Sequence, residues 1–306
     1  MKHLIIVNTH AGHGKEAVDA AKKAFDGLDY EFYETEGPRK VIPYLKNYFK
    51  KNKDDVVRVY ACGGDGTLHE VVNGLVGVKN AELALYACGT GNDFAKVYGG
   101  TKKFLDFKKL IDAKTVSIDL TKLEGDKMDE PWHSINVINF GFDAIVGVKG
   151  NENKIKGKKN PYGFTQAIVP AILHGRFNKI EVVADGENLN GKKLTLGSVS
   201  QGQWVGGEYH ASPKSKNDDG LLDVVTIKTM TFVRLMAQLF GAYHDGKHLD
   251  NPKLADKVCY KQAKEVIIRS LSDKDIDMCV DGEIVSGHEF TCKVCPKALK
   301  FVLPED

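Results

Sequence analysis

A single carboxylate enclosed by glycines stands in the segment Cys62-Gly63-Gly64-Asp65-Gly66-Thr67. An apolar, β-branched run precedes this segment and apolar residues recur at helical spacing after it, which indicates a strand-to-helix turn. Glycines there let backbone N–H groups approach a phosphate, and the start of the next helix favours negative charge. A carboxylate beside a phosphate predicts a bound Mg²⁺ between them, with Asp65 as its ligand. A plain strand–helix joint is the alternative for an isolated turn.

Two further glycine-rich loops have the same setting. Cys88-Gly89-Thr90-Gly91-Asn92-Asp93 follows an apolar run and leads into a short predicted helix, with Asn92 or Asp93 as its N-cap. The third loop, Asn8–Lys15, follows an apolar strand at the start of the chain. It is not a Walker A loop, because Glu16 follows the lysine. Loops that leave parallel strands lie along one sheet edge, where open α/β sheets bind ligands.

The elements that must position these loops alternate along the first part of the chain. Strand and helix patterns there predict a parallel sheet with crossover helices, with strands at 3–8, 30–34, 56–62 and 83–87 and helices at 16–28, 41–51 and 68–75. After Lys114, short β-rich segments with turn residues between them predict a β-sandwich-like domain, with strands at 116–123, 134–140, 179–184, 194–200, 222–226, 265–269, 276–280 and 290–295 and helical inserts at 164–174 and 232–244. We therefore predict two domains, residues 1–118 and 119–300.

Composition is that of an ordinary globular protein. With 306 residues, 42% hydrophobic and 27% charged, the chain is long enough for two cores and is not disordered. Its 43 basic residues are offset by 41 acidic ones, which argues against a nucleic-acid partner. No apolar run approaches the roughly 20 residues of a membrane span and the first residues read as a strand, so we expect a cytoplasmic protein. Six scattered cysteines predict reduced thiols, and Cys292 and Cys295 lack partners for a zinc site.

Charged segments in the rest of the chain each admit two interpretations. Val280–Glu283 is compatible with an ordinary Asp-Gly hairpin, or Glu283 receives a hydroxyl proton as a general base. The turn 218–220 is either solvated or a site for a hard cation. The basic run Lys149–Lys159 is a solvated loop or touches anionic lipid headgroups. Lys15 counters phosphate charge or is a solvent-exposed lysine, and Asp143 supports a metal network or caps local backbone.

Several motifs in one order resemble the diacylglycerol kinase catalytic-domain family, specifically its bacterial soluble lipid kinases. The Gly-Gly-Asp-Gly-Thr core is shared with NAD kinases and phosphofructokinases, whereas Gly-Thr-Gly-Asn-Asp and Asp-Asp-Gly-Leu-Leu-Asp favour the lipid kinases. The matching segments are Asn8 with Gly12–Lys15, Thr35–Gly37, Gly63–Glu70, Gly89–Phe94, Asn139–Asp143, Ser212-Pro213, Asp218–Asp223 and Asp281–Glu283.

This resemblance implies a fold and an activity. The fold would be an N-terminal α/β parallel-sheet nucleotide-binding domain, like that of NAD and diacylglycerol kinases, plus a C-terminal β-sandwich-like domain. The active site would lie in the interdomain cleft, and residues 301–306 would return to the first domain. The activity would be Mg²⁺-dependent transfer of the ATP γ-phosphate to the hydroxyl of diacylglycerol or a related lipid alcohol, giving phosphatidic acid or an analogue. We expect transient peripheral contact with a membrane surface, and a homodimer is compatible with the sequence.

The resemblance also implies roles for particular residues. Glu283 would be the general base, and Asp65 would act with it in catalysis. The carboxylate of Asp219 and the carbonyls of Lys216 and Leu221 would hold a structural cation. The ATP contacts would be Asn8, Thr9, His10, Ala11, Gly12, Lys15, Thr35, Gly63, Gly64, Asp65, Gly66, Thr67, Leu68, His69 and Thr90.

Several departures from the family pattern are present, two of them among the predicted ATP contacts. Thr9 stands where proline is common, and His69 stands where asparagine is frequent. A bulkier, titratable side chain at position 69 changes the local metal or acceptor geometry. The alternatives are a kinase for a sphingoid lipid or for NAD, and a non-catalytic nucleotide-binding protein recruited to membranes. The presence of both Asp65 and Glu283 argues against the non-catalytic alternative.

Overall fold

The structure is a computed structural model and is described for residues 1–141 and 179–305. The predicted helix at 164–174, the basic run Lys149–Lys159 and Asp143 lie outside the described residues. The chain divides into two compact units, one formed by Met1–Leu120 with Cys295–Asp306 and the other by Thr121–Val294. No helix in the described ranges is both long enough and apolar enough to cross a membrane.

The first unit is built on the predicted parallel sheet. Its strands are β1 Lys2–Val7, β2 Tyr30–Glu34, β3 Val57–Gly63, β4 Ala81–Ala87 and β16 Glu289–Leu303. Their order in the sheet is β2-β1-β3-β4-β16, and the long strand β16 runs parallel to β4, pairing Phe301 with Leu83. The helices are α1 Gly14–Ala24, α2 Val41–Lys51, α3 Asp65–Leu75 and α4 Phe107–Asp112, with two single-turn helices at Phe94–Tyr98 and Thr101–Phe104.

The central strands are buried, and most of their side chains are apolar; the buried Arg58 of β3 pairs with Glu82 of β4 at 2.8 Å. Every residue of β3 is buried, as expected of a parallel strand covered by helices on both faces. Because β1, β3 and β4 are parallel, they end at the same edge of the sheet, at Val7, Gly63 and Ala87. The three glycine-rich loops therefore begin side by side.

The second unit is the predicted β-sandwich. The remaining strands are β5 Lys114–Gly125, β6 Trp132–Ser134, β7 Val137–Gly141, β8 Ile180–Ala184, β9 Glu187–Asn188, β10 Leu194–Ser200, β11 Leu222–Lys228, β12 Val258–Ala263, β13 Glu265–Ser270, β14 Ile276–Val280 and β15 Glu283–Gly287. One layer is a six-stranded antiparallel sheet with the order β12-β11-β10-β7-β14-β15. In the other layer β13 pairs with β8 and β16, and β8 pairs with β9. Side chains of both layers, such as Phe140 and Val199 from the first and Val266 and Phe290 from the second, share one core.

The predicted helical insert at 232–244 is present as three consecutive helical segments, Phe232–Arg234, Leu235–Phe240 and Gly241–His244. Its buried side chains pack with Val225 and Ile227 of β11. The predicted single strand at 134–140 is wrong in one respect, because it is interrupted between β6 and β7. The backbone N–H groups of Ile135 and Asn136 donate to the Asp281 carboxylate there instead of to a neighbouring strand.

Candidate functional site

The loops that follow β3 and β4 meet backbone to backbone. A Cβ at Gly89 would overlap the Cα and the backbone nitrogen of Gly64. The N–H of Gly89 also donates to the carbonyl of Gly63 at 3.0 Å. Only residues without side chains permit this approach, so two of the loops predicted from glycine content form one surface.

The N-terminal loop joins the same surface. Gly12 has φ +40, and a Cβ on it would overlap the carbonyl oxygen of Cys88. The N–H of His13 donates to that carbonyl at 2.9 Å, and the N–H of Asn8 donates to the carbonyl of Cys62 at 3.0 Å. The three loops are thus packed together within the first unit.

Two asparagine side chains fasten these loops. The Asn8 amide donates to the Thr67 hydroxyl at 3.3 Å, which links the N-terminal loop to α3. The Asn92 side chain accepts from the N–H of Gly89 at 3.1 Å and donates to the carbonyl of Ala87 at 3.1 Å. Asp93 is the N-cap residue of the following short helix, one of the two predicted alternatives, although its side chain makes no capping bond. The Asn92 side chain instead closes its own loop.

Asp65 lies where the loop after β3 meets the loop after β4. It is the first residue of α3, and its Oδ1 accepts from the backbone N–H of Asp93 at 2.7 Å. A carboxylate oxygen suits Mg²⁺, which in proteins binds to one or two carboxylates plus substrate phosphates and water. The described residues contain no group of three or more His, Cys, Asp or Glu side chains that would hold a metal on their own. A single carboxylate oxygen such as that of Asp65 fits a Mg²⁺ ion whose other ligands are phosphate and water oxygens.

Two buried thiols lie at the ends of the strands that carry these loops. Burial raises the pKa of Cys88 to about 11 and raises the pKa of Cys62 well above its usual range. Both thiols are therefore neutral near pH 7 and add no negative charge beside a bound phosphate.

The other residues predicted to contact ATP are distributed around the three loops. Thr9 donates its hydroxyl to the Glu34 carboxylate at 2.5 Å, and the Thr35 N–H donates to the carbonyl of Val7. Lys15 and Thr90 are exposed. The side chains of Thr67, Leu68 and His69 are buried in α3, and Gly66 is the second residue of that helix. His10 and Ala11 lie in the N-terminal loop.

Glu283 lies in the second unit. It is the first residue of β15, partly buried, and pairs with Val280 of β14. The turn between these strands is Asp281-Gly282 with φ +50 and +99, the backbone of a type I′ hairpin. The hairpin interpretation is confirmed, and the role of Glu283 as a base stays a prediction.

The loop predicted to hold a cation also lies in the second unit. Asp219 Oδ1 accepts from the N–H of Leu221 at 3.0 Å, and Oδ2 accepts from the Gln262 side chain at 3.0 Å. The carbonyl of Leu221 accepts from the Gln201 amide at 3.0 Å. One carboxylate and backbone carbonyls are the oxygen ligands that Mg²⁺ or Ca²⁺ takes, so the donor set fits such an ion.

A further carboxylate that the sequence reasoning did not single out supports this loop. Asp223 is fully buried, and it accepts from the Tyr260 hydroxyl at 2.5 Å and the N–H of Lys216 at 3.4 Å. Burial raises its pKa. The sequence contains a signal for this role, because Asp223 is the last residue of the acidic motif and the second residue of β11, whose neighbouring residues Leu222, Val224 and Val225 are apolar.

The fold and the loops define an α/β nucleotide-binding domain followed by a β-sandwich. Family models agree with both parts: residues 2–123 match the diacylglycerol kinase catalytic domain, and residues 136–303 match the YegS C-terminal NAD kinase beta sandwich-like domain. The chain belongs to this diacylglycerol kinase-like family.

Individual relatives are similar over most of their length. A protein from Pseudomonas fluorescens named "Probable lipid kinase YegS-like" is 28% identical over 252 residues, 81% of this chain and 78% of the relative. One from Salmonella heidelberg named "Probable lipid kinase YegS" is 28% identical over 263 residues, 82% and 79%. A crystal structure of a diacylglycerol kinase from Bacillus anthracis has the same fold, with a TM-score of 0.68, 22% identity, and coverage of 99% of this chain and 96% of that one.

Proposed function

We propose that this protein is an ATP- and Mg²⁺-dependent lipid kinase that phosphorylates the hydroxyl of diacylglycerol or a related lipid alcohol. The observation that carries the proposal is the contact among the three glycine-rich loops of the first unit, with Asp65 bonded to the N–H of Asp93. Phosphoryl transfer needs backbone donors, a metal and a carboxylate near the acceptor hydroxyl, because its catalysis is mainly positioning and charge neutralisation.

The residues divide the reaction between them. The loops after β1, β3 and β4 bind the ATP phosphates through their backbone N–H groups. Asp65 holds Mg²⁺, which when bound neutralises the charge that develops on the phosphate oxygens. Glu283 accepts the proton of the lipid hydroxyl as its oxygen bonds to the γ-phosphorus, and the bond from that phosphorus to the bridging oxygen of ADP breaks.

The cation loop and the acceptor complete the proposal. Asp219 and the carbonyls of Lys216 and Leu221 hold a structural Mg²⁺ or Ca²⁺, which their oxygen donors support. The lipid is taken from a membrane surface, which the protein contacts transiently from the cytoplasm.

The test is transfer of label from γ-labelled ATP in the presence of Mg²⁺. Diacylglycerol, a sphingoid base and another lipid alcohol would be offered in detergent micelles, and NAD in solution. Labelled phosphatidic acid, or a labelled analogue, is expected. Label in NAD alone, or in no product, would overturn the proposal.

Glu283→Gln tests the base, and the chain contains a matched control. Glu187 follows a second Asp-Gly hairpin, is exposed, and pairs with Lys261. Glu283→Gln should lower the rate of transfer at least about 100-fold, the usual contribution of a general base, while ATP binding persists. Glu187→Gln should transfer at the wild-type rate. Equal rates for the two variants would remove Glu283 from the mechanism.

A further inference from the structure

The second unit contains the same hairpin twice. Asp185-Gly186 joins β8 to β9 and Asp281-Gly282 joins β14 to β15, and a glutamate follows each turn. Both aspartates have positive φ, +46 and +50, and so do both glycines, +83 and +99. Turn type and local sequence are therefore the same, so any functional difference between the glutamates must come from what surrounds each turn.

The two aspartate side chains have different surroundings. Asp281 is 8% exposed, and its Oδ1 accepts from the Ser134 hydroxyl at 2.6 Å and from the N–H groups of Asn136 and Val137 at 3.1 and 3.2 Å. Its Oδ2 accepts from the N–H of Ile135 at 3.1 Å. The Asp185 side chain is exposed and accepts from the consecutive N–H groups of Lys264 and Glu265 at the start of β13, the strand that pairs with β8.

The segment that holds Asp281 is itself held from another side. The carbonyl of Asn136 accepts from the N–H groups of Gln201 and Gly202, both at 2.8 Å. The Asn136 amide donates to the carbonyl of Trp204 at 2.9 Å, and a Cβ at Gly202 would overlap the Asn136 side chain. The segment 134–137, to which the Asp281 carboxylate bonds, is thus held in place by further hydrogen bonds from residues 201–204.

Strand β15 needs such an anchor. Among residues 1–141 and 179–305, it is the last strand of the six-stranded sheet and pairs with β14 alone. Edge strands have one row of backbone groups without a neighbour, so their ends are held less firmly than central strands. Glu283 is the first residue of this strand and comes two residues after Asp281.

We propose that Asp281 is a positioning residue for Glu283. Its buried carboxylate ties the turn to residues 134–137 and thereby fixes the direction in which Glu283 leaves the hairpin. This inference rests on the proposed role of Glu283 as the base. A displacement of about 1 Å at a reacting group costs about 100-fold in rate, so the rate of transfer should respond strongly to loss of the anchor.

The main test compares Asp281→Asn with Asp185→Asn. Asparagine keeps an acceptor oxygen for three of the bonds and places an NH₂ group against the N–H of Ile135. Asp281→Asn should lower kcat for lipid phosphorylation about 10- to 100-fold, with KM for ATP within about two-fold of wild type. Hydrogen exchange should accelerate in peptides covering 134–137 and 281–285. Asp185→Asn should change neither kcat nor exchange in these peptides.

Two further variants separate positioning from folding. Ser134→Ala removes one donor and no charge, and should lower kcat less than Asp281→Asn while the protein folds normally. In a Glu283→Gln background, Asp281→Asn should reduce the residual rate no further, because the group that it positions is gone.

Each outcome has one meaning. Accelerated exchange with a kcat equal to that of Asp185→Asn, or unchanged exchange, would overturn the inference. So would a further fall in rate in the Glu283→Gln background. A wild-type protein that phosphorylates no lipid would overturn the proposed function, and with it the role of Asp281. If the wild-type protein phosphorylates lipid and Asp281→Asn leaves kcat unchanged, the inference is overturned and the proposed function is not.

Discussion

The carboxylate of Asp65 accepts the backbone N–H of Asp93 at 2.7 Å, across 28 residues of sequence. This bond joins the turn after β3 to the turn after β4, at the residue that we propose as the Mg²⁺ ligand. A substitution at position 65 can therefore remove the negative charge and keep an acceptor for the Asp93 N–H.

Asp65→Asn removes the charge and keeps an oxygen that can accept from Asp93. Lipid phosphorylation should fall at least about 100-fold, because loss of a charge that neutralises the transition state costs this much or more. The melting temperature should change little. Steady-state kinetics and thermal unfolding measure the two effects. Asp106→Asn, at the N-cap of α4, is the control, and a near-wild-type rate for Asp65→Asn would contradict the metal role.

Gly89→Ala places a methyl group where the backbone of Gly64 lies. Overpacking of this kind costs about 1–3 kcal/mol, so the free energy of unfolding should fall by this amount and ATP should bind more weakly. Denaturant unfolding and calorimetric titration with ATP measure the two effects. Gly241→Ala is the matched control, since a Cβ there meets no atom within 4 Å. Equal stability of the two variants would show that the turns separate easily.

Asp219→Ala removes the only carboxylate in the proposed set of cation ligands. Wild-type protein should melt at a higher temperature when millimolar Mg²⁺ or Ca²⁺ is added to metal-free protein, because an ion that binds the folded state stabilises it. The melting temperature of the variant should not rise when the ion is added. That of Asp218→Ala, at the neighbouring exposed carboxylate, should still rise. If the melting temperature of Asp219→Ala rose as much as that of wild type, the ion would bind at another site.

The buried His248 side chain should make the free energy of unfolding depend on pH. The side chain is fully buried beside the Tyr243 ring, and burial lowers its pKa to about 4 from an ordinary value of 6.5. Its stabilising contribution is complete above pH 6.5 and is lost as the pH falls to about 4, because the unfolded chain then binds a proton that the folded one does not. At about 1.4 kcal/mol per pKa unit the loss is up to about 3 kcal/mol.

The measurement compares His248→Asn with wild type across that pH range. Burial raises the pKa of Asp223, which acts in the opposite direction, but the difference between the two proteins cancels this contribution. The variant should show a flatter decline in the free energy of unfolding. Parallel curves for His248→Asn and wild type would rule out a large contribution from His248.

The sequence was sufficient for the parallel sheet and its glycine-rich turns, because these depend on local periodicity and on residues without side chains. It did not predict that β6 and β7 are separate strands. The break at Ile135 is caused by Asp281, which is 146 residues further along the chain, and no local pattern carries that information. The bonds of Asn92 were missed for a different reason: a short polar residue before a helix favours a cap, while a positive φ turns this side chain back into its own loop.

Strand β16 affects the order in which the protein folds during synthesis. The first unit obtains the neighbour of β4 only when residues 295–303 have been made, with Phe301 among the rings of Phe94, Tyr98 and Phe104. At the usual 5–20 residues per second, the ribosome needs roughly 10–35 s to go from residue 120 to residue 295. During that interval β4 has an open edge, the kind of surface that other nascent chains can pair with and that chaperones cover.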